Sequence, residues 1–192
     1  MSALLPFLKP RQRLRLRGRA VHLRPPTPRD YKAWASLRAQ SRAFLEPWEP
    51  TWPEHDLGRA AFRARLGAYA REMELGEAYA FFIFRSDDDA LLGAIRLFHV
   101  RRGVALTGTI GYWLGEPFAR RGYMKDAVET LIRFAFDGLG LHRLEAACMP
   151  ENHASAALLA KCGFSEEGYA PAYLKINGAW ADHRLFGLVA SE

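Results

Sequence analysis

The stretch Met124–Leu139 restricts the possible folds of this chain more than any other segment. Its apolar residues Met124, Ala127, Val128, Leu131, Ile132, Ala135, Phe136 and Leu139 recur at i, i+3, i+4, i+7, i+8, i+11, i+12 and i+15. A period of 3.6 residues gathers all of them on one face, so the spacing predicts a long amphipathic helix. Gly138 and Gly140 end it. One apolar stripe cannot bury itself, so this helix must lie on other elements, and the flanking segments decide which.

The flanking segments supply a sheet. Ala20–Leu23 reads as a short strand stopped by Pro25, Pro26 and Pro28, and Thr27-Pro28-Arg29-Asp30 then opens a helix to about Ser41. Phe44–Pro53 carries Pro47, Pro50 and Pro53 and is expected to be a stiff aromatic loop, because prolines forbid a regular element. A further helix is expected over 56–75. Tyr79–Arg85, Ala90–Arg101 and Leu106–Leu114 read as strands, with turns at Asp87-Asp88-Asp89 and Arg102-Gly103, giving an antiparallel meander. Beyond the long helix come a strand over 142–149, a helix from His153 to Lys161 capped by Asn152 and stopped by Gly163, and two strands near 164–176 and 182–189. The last two are joined by the turn Asn177-Gly178. Strands first, then strands alternating with helices, give an α/β class: a mixed sheet with helices on its faces.

With 192 residues, 49% hydrophobic and 25% charged, the chain can bury a substantial core and is expected to be a single domain over 1–192. The longest apolar run, Ala78–Phe84, has seven residues, far short of a membrane span. Met1–Pro10 does not have the pattern of a signal peptide. Cys148 and Cys162 form no zinc motif and read as reduced cytosolic thiols, so a cytoplasmic protein is expected. The six histidines do not cluster as metal ligands, and no metal is expected. The net charge of +6 is uneven: Lys9, Arg11, Arg13, Arg15, Arg17, Arg19 and Arg24 follow one another with no acid between them. This basic arm, residues 1–19, is either a solvated tail or a surface that attracts polyanions: nucleic acid, ribosomes or a phosphorylated cofactor.

The strand before the long helix runs into Gly115-Glu116-Pro117-Phe118-Ala119-Arg120-Arg121-Gly122-Tyr123-Met124. The first N–H groups of a helix lack intrahelical partners and carry partial positive charge, so they attract phosphates. Gly122 permits close approach, and Arg120, Arg121 and Lys125 add charge. On spacing alone this is either an anion site or an ordinary loop with a capping glycine. It is neither a P-loop nor a dinucleotide fingerprint.

Taken together, Arg120-Arg121-Gly122-Tyr123-Met124, the FLEPWEP stretch Phe44–Pro50, IGYWLG at Ile110–Gly115, HRLE at His142–Glu145, PENHAS at Pro150–Ser155, Gly163-Phe164, and Tyr173–His183 resemble the GNAT acetyltransferases. More narrowly they resemble the RimJ/RimL group of ribosomal-protein alanine N-acetyltransferases, the RimJ branch above all. The resemblance covers nearly the whole chain. It implies a mixed, mostly antiparallel sheet of about seven strands, splayed between its fourth and fifth, with about four helices on its faces. Acetyl-CoA would lie in the splay, between Thr109–Leu114 and Arg143–Met149. Trp113 and Leu114 would meet the pantetheine arm, and Arg120, Arg121, Gly122, Tyr123, Met124 and Lys125 the pyrophosphate. Asn152 and Ser155 would contact the cofactor near its reactive end. Two departures from the family pattern stand out: Ala119 and Met124 occupy the first and last places of the usual signature, and Leu159 stands where many members carry a proton-donating tyrosine. Ser155 is the nearest hydroxyl and takes the donor role.

The resemblance further implies direct attack by a neutral amine on the thioester, with the backbone N–H of Leu114 as a donor to the oxyanion. An α-amino group, with a pKa of roughly 8 against about 10.4 for lysine, requires only a weak base. Glu145 is a candidate base or a partner of Arg143, Glu116 a loop carboxylate near the cofactor, and His99 a group facing the acceptor or a satisfied strand histidine. A glutamate assigned as base in part of the RimL branch is matched here by Leu174, so that role does not carry over. Asp182-His183 is expected to be structural first and acceptor-binding second, and Cys148 a buried thiol rather than a nucleophile. Phe44, Trp48, Glu49 and Trp52 would wall the acceptor side, and Glu46, Glu49 and Glu54 could meet a cationic N-terminus. The expected acceptor is the N-terminal amine of a protein, with a ribosomal protein as the expected case, and the basic arm would then contact the ribosome or its RNA. The alternatives are a small-molecule amine, or an RNA-binding factor with little catalysis. A monomer or a dimer fits the sequence equally.

Overall fold

The computed structural model describes residues 14–191. The apolar run around residue 80 becomes β3 (Tyr79–Arg85), whose residues are almost all buried. It reads as a continuous apolar run because both its faces are covered. Tyr79, Phe81 and Ile83 join the main core, while Phe82 and Phe84 join a second core with Trp34, Leu37, Phe62 and Leu91. Antiparallel pairing extends β3 on one side to β2 (Val21–Arg24) and on the other to β4 (Leu91–Arg101) and β5 (Thr107–Leu114), so the expected meander is present.

Among the described residues eight strands form one sheet, in the order β1-β2-β3-β4-β5-β6-β8-β7, where about seven were expected. The addition is β1 (Leu16–Arg17), paired with β2 through Leu16↔Leu23 and Arg17↔His22. The base of the basic arm is therefore part of the sheet. Lys9, Arg11 and Arg13 lie outside the described residues, so the expected arm over 1–19 is seen only at its foot. The remaining strands are β6 (Arg143–Cys148), β7 (Ser165–Ile176) and β8 (Ala179–Val189). Asn177 and Gly178, both at positive φ, make the tight turn between β7 and β8.

Among the described residues five α-helices flank the sheet, where about four were expected: α1 (Tyr31–Gln40), α2 (Arg42–Leu45), α3 (Arg59–Leu75), α4 (Tyr123–Arg133) and α5 (His153–Lys161). The extra one, α2, leads into the aromatic segment and continues into a 3-10 turn over Glu46–Trp48. Pro47 sits in the first turn, where its missing N–H has no partner to lose, so the prolines shorten the helix here rather than abolish it.

The stripe on α4 packs as its spacing predicts: Met124, Ala127, Val128, Leu131 and Ala135 are buried in the main core beside Val21, Leu23, Leu97 and Ile110. The helix does not stay α to Leu139, however. Phe134–Gly138 forms a π turn, with the Leu139 N–H bonded to the Phe134 carbonyl at 3.0 Å. The wider turn keeps Ala135 buried while Phe134 reaches edge-on to Tyr79 and Phe81, with centroids 5.3 and 5.6 Å away.

Candidate functional site

The site begins where the sheet parts. Among the described residues β5 and β6 are the only parallel neighbours, and their ladder has three rungs: Thr107↔Arg143, Gly108↔Leu144 and Thr109↔Glu145. Beyond Thr109 each strand keeps only its outer partner, β4 for β5 and β8 for β6. The result is a fork closed at Thr109 and open towards Leu114 and Cys148, between the strands where the splay was expected.

Strand alternation fixes which backbone groups face the fork. The Gly115 N–H donates to the Leu92 carbonyl at 2.8 Å, so Gly115 faces β4. Successive residues face opposite sides, which turns the amides of Leu114 and Tyr112 into the fork and that of Trp113 towards β4. Trp113 instead contributes its indole to the second core, under the Arg38 guanidinium at 4.9 Å.

The loop after β5 leads into α4 through two left-handed residues, Arg120 (φ 60°) and Gly122 (φ 82°). Asp126 donates the first N–H that finds a helical carbonyl, that of Gly122, at 3.1 Å. The amides of Tyr123, Met124 and Lys125 precede it at the positive end of the helix dipole. No heavy atom lies within 4 Å of where a Gly122 Cβ would stand, so this corner is open to a ligand. Arg120 and Arg121 are exposed, Lys125 pairs with Glu129, and Met124 faces the core, leaving its amide as its contribution. These groups form a cationic cradle of the kind that holds a pyrophosphate.

Asp126 fixes this helix end in place. Its carboxylate accepts the backbone N–H groups of Arg19, Ala20 and Val21 at 2.9, 2.7 and 3.0 Å, clamping the β1–β2 turn to the first turn of α4. No spacing in the sequence announces this contact across more than a hundred residues.

At the open end of the fork the expected Ser155 is present, and so is a partner that the sequence reading missed. Asn152 caps α5 by accepting the Ser155 N–H at 3.0 Å. The Ser155 hydroxyl lies 2.8 Å from the phenol oxygen of Tyr112. Ile110, Tyr112 and Leu114 alternate onto the main-core side of β5, and that alternation is the signal that could have paired Tyr112 with the helix opposite. Cys148 is a free, buried thiol whose pKa is pushed up by burial, against a lowering by Arg184 and by a hydrogen bond from Ser155. It therefore stays protonated, which suits a core thiol.

Other expected residues stand elsewhere. Glu145 is held by Arg143 at 3.2 Å and Arg101 at 3.5 Å, one contact to each carboxylate oxygen, and it lies on the face of β6 opposite Leu144, Ala146 and Cys148. His99 is exposed at a bulge in β4, near the closed end of the fork, with its ring edge-on to Phe98. Glu116 is exposed, and its backbone N–H donates to Ser41 Oγ. Asp182 accepts from the Tyr169 hydroxyl and the Ala172 N–H, which hold its carboxyl below the usual range. His183 is buried, edge-on to Tyr173.

On the acceptor side Phe44 and Trp48 are exposed, but Trp52 is buried under Arg38. Glu49 is engaged internally, by Arg38 at both oxygens and by the Trp52 indole N–H at 2.8 Å. The Asn177 N–H donates to the Glu49 carbonyl at 2.9 Å, joining the tip of the β7–β8 hairpin to the aromatic segment. Among the described residues no group of three or more His, Cys, Asp or Glu could hold a metal ion, and no helix is long and apolar enough to cross a membrane.

Comparison with known proteins agrees with this geometry. Residues 20–165 match the acetyltransferase (GNAT) domain model. The chain is 36% identical over 165 residues to the [Ribosomal protein uS5]-alanine N-acetyltransferase of Escherichia coli K12, covering 85% of each chain. It is 35% identical over 174 residues to the probable N-acetyltransferase YjcK of Bacillus subtilis 168, covering 91% of this chain and 96% of that one. The solved structure of Mycobacterium smegmatis RimJ in complex with CoA-disulfide superposes with a TM-score of 0.86 at 32% identity, covering 92% of this chain and 86% of that one. The forked sheet, the cradle at α4 and these relatives agree: the chain belongs to the acetyltransferase (GNAT) domain family and is an N-acetyltransferase of the RimJ/RimL type.

Proposed function

We propose that the protein transfers an acetyl group from acetyl-CoA to the N-terminal α-amino group of a protein, with a ribosomal protein as its acceptor. The observation that carries this reading is the fork, whose open end holds Ser155 beside Tyr112 and adjoins the first turn of α4. The amides of Tyr123, Met124 and Lys125, with Arg120 and Arg121, would hold the pyrophosphate. The fork-facing backbone of Tyr112 and Leu114 would pair with the pantetheine arm as an added strand would, leaving the Leu114 N–H to steady the oxyanion. Ser155 would donate its hydrogen to the departing thiolate. In balance, CoA gains one proton on sulfur from Ser155, the amine loses one to water on forming the amide, and water restores the Ser155 hydroxyl.

Acceptor choice follows from protonation. At pH 7 about one α-amine in ten is neutral, against a few lysine side chains in ten thousand. A site with no unengaged carboxylate at Glu49 or Glu145 suits the amine that needs least help. The exposed Phe44 and Trp48 and the hairpin tip at Asn177 would flank the incoming chain. Relatives more than 30% identical that carry a ribosomal-protein alanine name support the choice of acceptor.

The test is to incubate the protein with labelled acetyl-CoA and a panel comprising ribosomal proteins, peptides with free or blocked N-termini, and small amines. Mass spectrometry should place the label on the α-amine of N-terminal residues. Label confined to lysine side chains or small amines would overturn the reading.

A further inference from the structure

Three side chains meet at the open end of the fork, one from each bounding element: Tyr112 from β5, Cys148 from β6 and Ser155 from α5. Tyr112 and Ser155 are the two hydroxyls among them, 2.8 Å apart. Each side chain has one hydrogen to give, so the direction of this bond decides which hydrogen remains free. A phenol is the stronger acid and the better donor. If it donates to Ser155 Oγ, the serine keeps its own hydrogen for a third group. If the bond ran the other way, the half-buried phenol would have no acceptor left for its hydrogen among these three side chains.

We propose that Tyr112 is a positioning residue for Ser155: its phenol donates to Ser155 Oγ and turns the serine hydrogen towards the sulfur of the leaving thiolate. This rests on the reading of Ser155 as the proton donor. Two features favour it. Ser155 is also fixed through its backbone by the Asn152 cap, so one further bond to Oγ settles its rotamer. Burial raises the Tyr112 pKa far above the ordinary phenol value, which keeps its hydrogen in place and argues against a relay ending on tyrosinate. The third group, Cys148, is a protonated thiol and a weak competitor for the serine hydrogen.

The experiment is a double-mutant cycle in the full-length protein, with kcat and KM for acetyl-CoA measured separately at saturating acceptor. Ser155→Ala is expected to lower kcat about 100-fold, the low end for loss of a positioned acid. Tyr112→Phe keeps the ring and is expected to lower kcat about tenfold, with KM for acetyl-CoA within about twofold of wild type. In the Ser155→Ala background Tyr112→Phe should have no further effect, because there is no hydroxyl left to orient. Wild-type kcat in Tyr112→Phe, or losses that multiply in the double variant, would overturn the inference while leaving Ser155 as donor. Wild-type kcat in Ser155→Ala would overturn the donor assignment and this inference with it. If Tyr112→Phe fails to fold, 3,5-difluorotyrosine at position 112 preserves the shape and changes the acidity of the phenol; unchanged kcat there would equally overturn the proposal.

Discussion

Arg38 and Glu49 form a two-point ion pair, with both contacts at 2.7 Å, beneath the aromatic segment. The Arg38 side chain is 6% exposed and that of Glu49 20%. The guanidinium also lies 3.8 Å from the centroid of the Trp52 ring. Removing one partner of a buried pair leaves the other charge uncompensated, at a cost of about 3–5 kcal/mol. Glu49→Gln keeps some hydrogen bonding and water reaches the edge of the site, so a loss of about 3 kcal/mol is expected, read by urea denaturation. Acetyl-CoA affinity should hold while the KM for the acceptor rises, because the pair supports the wall and does not touch the cradle.

Gly122 holds φ at 82°, and a Cβ there would meet no neighbour. Gly122→Ala therefore meets backbone strain alone, roughly 1–2 kcal/mol. The relaxed backbone would turn the first amides of α4 away from the cradle, so Kd for acetyl-CoA is expected to rise about tenfold by calorimetry. Gly122→Asn should lose less, since asparagine tolerates this conformation better.

Asp126→Ala should separate the β1–β2 turn from α4. Val21 is buried while Arg19 and Ala20 are exposed, so water replaces two of the three lost bonds and the third leaves a buried N–H unpaired. A loss of about 2 kcal/mol is expected. Hydrogen exchange should show lost protection at residues 19–21 while β3 and β4 stay protected.

His22 predicts a pH dependence of stability. Its ring is buried and stacked on Phe84, 5.4 Å between centroids. Burial and then the charge of Arg15 lower its pKa below the ordinary 6.5, while Asp89 raises it less. The unfolded state then binds protons more readily, so this contribution is complete above pH 6.5 and is lost as pH falls through the folded value. Melting temperatures should fall as the pH drops below 6.5. His22→Phe, which keeps the stacked ring, should flatten that slope.

Much of this was legible in the sequence. The stripe on α4, the β3–β5 meander, the Asn152 cap and the Asn177-Gly178 turn announce themselves by period or by local backbone chemistry. The fork and the cradle followed from a resemblance carried by several motifs together. What stayed hidden has a common cause. β1 is too short to show a period, and α2 is a single turn that Pro47 soon follows. The Asp126 clamp, the Arg38–Glu49 pair and the Tyr112–Ser155 contact each join groups between which sequence distance carries no signal. Glu49 and Glu145 illustrate the converse: a carboxylate available on paper is, once folded, already engaged by an arginine.

The π turn at Phe134–Gly138 has an evolutionary consequence. It is equivalent to one residue inserted into an α-helix. Deleting a residue there would leave a continuous helix, and within the helix the loss would be nearly silent. Every position after it, however, would rotate by about 100° and retreat by about 1.5 Å. β6 would then enter the sheet one step out of phase, and Leu144, Ala146 and Cys148 would exchange faces with Glu145 and Ala147. The widened turn is thus a phase adjuster: it sets the frame in which one prong of the fork is read.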